Sequence, residues 1–253
     1  MAIKWGARRQ LLYYAVASVI LLILLFVAWR TFFVHEPTCF DRVQNGTEQG
    51  VDCGGTCALL CQNNTKAPTV LWARSFESAP STYTAVAYLR NNNVAISAGA
   101  RKVRYIFSFY DDKNILITER EGTLDIPPVQ TVPVVELNVD SGTRAVARTF
   151  FKIVSENITW ETVSKQSLQQ LRLSNISAYS DNRVTATLIN DSFDSAKRVH
   201  ITAVLFSPDG VAYGASHTTV GEIAGKSSES IVFTWPTPIP GSVYPEVIVL
   251  PSF

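Results

Sequence analysis

Histidine is scarce in this chain. The three present, His35, His200 and His217, stand far apart in sequence. None sits in the HxH or HExxH spacing that puts two imidazoles on one metal. No GxSxG elbow presents a nucleophilic serine. Ser216 precedes His217 directly, but sequence neighbours do not make a nucleophile–base pair in space. There is no excess of either charge. Setting aside Lys4, Arg8, Arg9 and Arg30 leaves 18 basic against 21 acidic residues, all of the latter beyond residue 30. That balance gives no basic surface for nucleic acid. No long amphipathic helix pattern occurs; KQSLQQLRL, from residue 165, holds one or two turns at most. GEIAGKS (221–227) looks like a phosphate-binding loop but is one residue short of GxxxxGKS, so nucleotide is not expected. With no catalytic spacing the chain reads as a non-enzyme. An extracytoplasmic hydrolase, the least favoured class, would need Ser, His or carboxylates converging in a polar cleft between two domains.

One hydrophobic run is present and long. Leu11–Trp29 carries no charged residue and includes twelve Leu, Ile, Val or Phe. At helical rise it crosses a bilayer core. Those twelve residues favour insertion by roughly 4–7 kcal/mol. Trp5, Tyr13, Tyr14 and Trp29 sit near its ends, where amphipathic rings suit the headgroup layer. Lys4, Arg8 and Arg9 precede it, and Glu36 and Asp41 follow. The basic flank stays cytoplasmic, which sends the rest of the chain outside. RTFFVHEPT after Trp29 lacks a small-x-small cleavage signal, so the span is expected to remain as an anchor. The inner tail of about ten residues is too short to fold.

Beyond the anchor, short alternating runs point to strands. KVRYIFSFY puts Val103, Tyr105, Phe107 and Phe109 on one face, and RVHITAVLF does so for Val199, Ile201, Ala203 and Leu205. The runs also repeat. TAVAYLRNNN (84–93) matches RVTATLINDS (183–192) at an offset of 99, YIFSFYDDKNILI (105–117) matches ITAVLFSPDGVAY (201–213) at 96, and GTLDIPPVQTVPVVE (122–136) matches TVGEIAGKSSESIVF (219–233) at 97. Two tandem units follow, each large enough for a β-sandwich.

Phe107-Ser108-Phe109-Tyr110-Asp111 resembles the signature of the FxLYD domain family, with Phe109 where that family has Leu; Ala203-Val204-Leu205-Phe206-Ser207 is a degenerate second copy. The resemblance covers most of the chain beyond the anchor. It implies immunoglobulin-like sandwiches on prokaryotic cell surfaces, in a family without a known catalytic role, and carries no functional residues across.

All four cysteines, Cys39, Cys53, Cys57 and Cys61, lie in CFDRVQNGTEQGVDCGGTCALLC. In an oxidising compartment they predict two disulfides. Zinc is the rival, but C-x13-C-x3-C-x3-C lacks the C-x2-C knuckle. Three pairings are open. Each bridge stabilises by about 3 kcal/mol in the chain-entropy picture. Asp41, Asn45, Glu48 and Asp52 recur every three or four positions among Gly46, Gly50, Gly54 and Gly55. They read either as Ca²⁺ ligands or as turn-formers and solvated charges. The run is similar to short C…NGxE…VDCGGxC…C modules of bacterial surface proteins. Asn45, Asn63, Asn157, Asn175 and Asn190 begin N-x-S/T triplets.

The expected fold is all-β: two tandem immunoglobulin-like β-sandwiches, one N-terminal transmembrane α-helix and a small disulfide-braced module. The expected parts are a cytoplasmic tail (1–10), transmembrane helix (11–33), cysteine-rich module (34–66), first sandwich (67–154), linker (155–167) and second sandwich (168–253). Sandwiches stacked end to end would reach several nanometres out. The expected function is a plasma-membrane-anchored interaction or structural module of the cell envelope. Its partners would be the lipid bilayer and an envelope protein or cell-wall polymer, with neither nucleic acid nor nucleotide. The alternative is an accessory subunit of a secretion or surface-appendage machine.

Overall fold

The computed structural model describes residues 5–33, 37–154, 157–164, 170–179, 182–236, 239–240 and 242–251. The chain divides into two compact units, Met1–Gly55 and Thr56–Phe253.

In the first unit, helix α1 spans Trp5–Phe33, 29 residues, or about 43 Å at 1.5 Å per residue. Its segment Arg8–Thr31 is long and apolar enough to cross a membrane, and its side chains are exposed throughout. The hydroxyls within it bond to its own backbone: Ser18 Oγ donates to Ala15 O at 2.9 Å, and Thr31 Oγ1 to Val27 O at 3.0 Å. In a bilayer such bonds would remove the penalty of a bare polar group in hydrocarbon. Arg30 in the last turn faces the negative end of the helix dipole.

The second unit is built from strands: β1 (Thr69–Ala79), β2 (Thr82–Arg90), β3 (Ala98–Tyr110), β4 (Leu116–Ile126), β5 (Thr131–Asp140), β6 (Arg148–Ile153), β7 (Trp160–Thr162), β8 (Leu171–Tyr179), β9 (Arg183–Asn190), β10 (Ala196–Phe206), β11 (Ala212–Ile223), β12 (Ser228–Thr234) and β13 (Tyr244–Leu250). They form four antiparallel sheets. β1-β2-β5 faces β4-β3-β6, with β7 extending the latter along β3; β8-β9-β12 faces β11-β10-β13. The second pair therefore repeats the strand order of the first. Phe107 and Phe109 anchor one core and Ile201, Leu205 and Phe233 the other, all at 0–1% exposure.

Corner residues explain the turns. Asp111 Oδ1 accepts from the amides of Lys113 and Ile115 at 3.0 and 2.8 Å, closing the β3–β4 turn. These backbone donors, led by Ile115, hold its carboxyl below the usual carboxylate range despite opposing burial. Buried Asn91 and Asn190 end β2 and β9. Asn91 Nδ2 donates to Ala98 O and Pro127 O, and Asn190 Nδ2 to Asp194 O, Ile223 O and Ala224 O. Their Oδ1 atoms accept from the amides of Asn93 and Ser192. Each asparagine thus pins its own turn to the corner between two later strands of the same sandwich.

The two sandwiches lie face to face rather than end to end. The outer face of β1-β2-β5 packs on the outer face of β11-β10-β13 through Trp72, Val86, Tyr88, Val204, Phe206 and Ala215. Trp72 stacks on Tyr88 with ring centroids 4.5 Å apart, and Phe206 meets both edge-on at 6.1 and 6.2 Å. Tyr88 Oη donates to Glu246 Oε2 at 3.2 Å; burial, then that carboxylate, push the phenol pKa far up. This face-to-face contact takes the place of the end-to-end arrangement considered above. Its physical reason is in β2, where Tyr83 to Leu89 are buried without alternation because both faces are covered.

The stretch expected to be linker contributes to the first sandwich. Trp160 and Val163 are buried, and β7 pairs with Ala98–Ala100 of β3. Residues 58–60 lie along β7: Leu60 N donates to Trp160 O and Thr162 N to Ala58 O, both at 2.8 Å. Residues 155–156 and 165–169, including most of the short helical pattern predicted near 165, lie outside the described residues.

Candidate functional site

All four cysteines are disulfide-bonded. Three of the four candidate cation ligands, Asp41, Glu48 and Asp52, accept hydrogen bonds from the loop's backbone. Asp41 Oδ1 accepts from Val43 N at 2.9 Å, and its Oδ2 from Asn45 Nδ2 at 2.7 Å. Both Asp52 oxygens accept from Arg42 N at 3.0 and 3.1 Å. Glu48 Oε2 accepts from the amides of Asn45 and Asp52 at 3.2 and 3.3 Å. The carboxylates thus shape the turns, as Asp and Asn side chains do in tight loops. Asn45 Oδ1 is buried without a hydrogen-bond partner. Oxygen ligands of this kind suit calcium, but the bonds above would have to be shared with it or given up.

GEIAGKS closes the turn between β11 and β12. Lys226 Nζ donates to Asp191 O at 2.5 Å and lies 4.3 Å from the centre of the Phe193 ring. Ser227 Oγ donates to Ala224 O at 2.7 Å. Both polar side chains of the apparent phosphate motif therefore fasten the loop to itself and to the β9–β10 connection. Among the N-x-S/T asparagines, Asn63, Asn157 and Asn175 are exposed, Asn45 is half-buried, and Asn190 is fully buried in its corner.

The histidines are arranged differently from what their separation in sequence suggests. His35 lies outside the described residues. His200 on β10 and His217 on β11 lie side by side, nearly parallel, with ring centroids 5.6 Å apart. The hairpin register causes this: Thr202 is opposite His217 and His200 opposite Thr219, so the imidazoles are diagonal neighbours on one face. Each has a threonine hydroxyl at 3.2 Å: Thr219 Oγ1 at His200 Nδ1, and Thr202 Oγ1 at His217 Nδ1. Burial, then the neighbouring His200, lower the pKa of His217 below the usual histidine value.

This pair lines a cleft of about 850 Å³ between the two sandwiches. One wall comes from β10, β11 and the end of β13; the other comes from β3, β4 and β5 with the β4–β5 corner. Lys102, Lys197 and Arg198 bring three fixed cations against one lining carboxylate, Asp125. Asp125 Oδ1 accepts from Lys102 N at 2.8 Å. Deeper in, Tyr105 Oη donates to Glu136 Oε1 at 2.5 Å, and burial with that bond drives the phenol pKa far up. Tyr105 also packs so closely over Gly122 that a Cβ there would sit 2.4 Å from its hydroxyl.

Lys102 and Arg198 did not figure among the sequence candidates. A signal for them exists: ARKVR (100–104) matches AKRVH (196–200) at the offset of 96 found just downstream. In both copies Ala and Val point into the core while the residues between them are exposed.

No protein-family model matches the chain, and no curated protein matches it significantly. Solved structures give weak likenesses. The red sea bream transglutaminase is 11% identical with a TM-score of 0.24, over 74% of this chain and 29% of that one. A β-glucuronidase of Bacteroides uniformis is 12% identical with a TM-score of 0.20, over 67% of this chain and 24% of that one. The chain thus spans less than a third of either protein, and neither likeness carries a functional argument.

Proposed function

We propose that the chain is a single-pass membrane protein, N-terminus inside, whose β-sandwiches stand on the extracytoplasmic side as an interaction or structural module of the cell envelope. The observation that carries this is the exposed apolar helix at Arg8–Thr31, with Arg8 and Arg9 at its N-terminal end. Positive flanks stay in the cytoplasm. Disulfides on the far side suit an oxidising compartment. The FxLYD-type resemblance at 107–111 and immunoglobulin-like descent of both sandwiches belong to the same proposal. We favour binding over catalysis because the two imidazoles pair with strand threonines rather than with an orienting carboxylate.

Protease treatment of intact cells tests the topology. Digestion of a C-terminal tag, with an N-terminal tag protected until the membrane is lysed, supports the reading; the reverse pattern removes it. Calcium is the cofactor that the acidic loop suggests. A higher melting temperature in excess calcium than in excess chelator supports it, and equal values remove it.

An accessory subunit of a larger membrane complex is the second reading. Half-exposed Phe150, edge-on to Tyr110 at 5.6 Å on the outermost sheet, offers an apolar contact for a protein partner. Stoichiometric membrane partners in a detergent pull-down would favour it over a lone polymer-binding protein.

A further inference from the structure

We propose that the cleft between the two sandwiches binds an acidic polysaccharide, held by Lys102 and Arg198 with His200 and His217 alongside. The choice of ligand class rests on the envelope reading above; the geometry stands without it. Lys102 and Arg198 have no ion-pair partner among the described residues. Lys197 reaches Glu222 only at 4.0 Å, with both side chains exposed, a pairing of little strength. Asp125, the one carboxylate among the described lining residues, accepts from the Lys102 amide and keeps its charge, so the lining holds three cations to one anion. The cleft therefore presents cations in search of an anion.

The backbone sharpens the point. Lys102 has φ 53° and Arg198 φ 50°. Left-handed conformations are uncommon for such residues; nine other described non-glycine residues share them, so the pair counts here only because both lie on strands at repeat-related positions. Lys102 lies where the pairing of β3 with β4 slips between Ala100 and Val103, a bulge that re-aims a side chain. Arg198 is the repeat-equivalent residue, although the β10–β11 register runs through it without a slip. Two repeat-related basic residues thus line one cleft because the sandwiches pack face to face.

The lining also narrows the ligand. At about 850 Å³ the cleft has the size of a small-ligand site and takes a few sugar rings. Leu124, Leu250 and Pro251, each partly exposed, give it apolar walls against which the faces of sugar rings can lie. A single-stranded nucleic acid would use open aromatic platforms for its bases. Among the described lining residues the one Phe, Tyr or Trp is Tyr105, stacked on Phe151 at 5.3 Å and tied to Glu136, and the two imidazoles lie against each other. Imidazole and threonine groups supply donors and acceptors for sugar hydroxyls.

Calorimetric titration of the full chain in nanodiscs of zwitterionic lipid tests this, with polygalacturonate as probe, dextran as neutral sugar and polyphosphate as a polyanion without sugar. Polygalacturonate is expected to bind more tightly than either control. Lys102→Gln combined with Arg198→Gln should weaken it by about tenfold, the scale of two lost exposed ion pairs. Lys113→Gln, in the exposed β3–β4 turn, should leave it unchanged. Arg198→Glu alone provides a second variant should the double variant melt lower than wild type. Unchanged affinity in Arg198→Glu, equal binding of dextran, tighter binding of polyphosphate, or no binding of polygalacturonate would each overturn the proposal. The assay uses purified protein and is blind to topology, so its failure is separable from failure of the protease test.

Discussion

Two asparagines carry more of the fold than their polarity suggests. Asn190 is fully buried, donates to three backbone carbonyls and accepts from Ser192. Asn190→Ala would leave those groups buried and unpaired, so it should destabilise by about 2–3 kcal/mol, read as a lower urea midpoint. Asn157→Ala, exposed in its own N-x-S/T triplet, should leave the midpoint unchanged. At the same scale, His217 favours its neutral form in the folded protein, because burial and then the neighbouring His200 lower its pKa. The unfolded chain then binds the extra proton more readily. Stability should therefore fall as pH drops below about 6.5, the unfolded value. Melting temperatures at pH 7.5 and 5.5 should differ less in His217→Gln than in wild type; an equal drop in both would place the acid sensitivity elsewhere.

At the scale of elements, the loop that looked like a phosphate site shows how one motif can arise for two reasons. A Cβ at Gly225 would lie 2.0 Å from Phe193 O, so glycine is needed there for close backbone approach. Gly225→Ala should force the β11–β12 turn from the β9–β10 connection and lower the melting temperature, whereas Gly221→Ala, with nothing within 4 Å, should not. The strands themselves were legible in the sequence where one face is solvated: β3 alternates through Val103, Tyr105, Phe107 and Phe109. The apolar helix was legible because nothing interrupts it. The sheet-on-sheet contact was not read, because β2 and the end of β10 lose alternation when both faces are covered, and an unbroken apolar run is ambiguous. The histidine pair was missed for a related reason. Separation along the chain hides neighbours that only the register of the β10–β11 hairpin creates.

For the whole molecule, the decisive feature is that a repeated sandwich became one four-layer body. The layers run β4-β3-β6, β1-β2-β5, β11-β10-β13 and β12-β9-β8. Trp72, Tyr88 and Phe206 join the middle two, with each aromatic pair adding about 0.5–1.5 kcal/mol beyond area burial. That joint fixes the walls of the basic cleft, so rigidity and candidate binding share one cause. Calorimetric unfolding tests the joint most directly. The wild-type β body should melt in a single cooperative transition. Phe206→Ala, at a cost of about 3–5 kcal/mol, should split it into two. A wild-type protein that already melts as two independent transitions, unaffected in their spacing by Phe206→Ala, would contradict the four-layer body and with it the cleft.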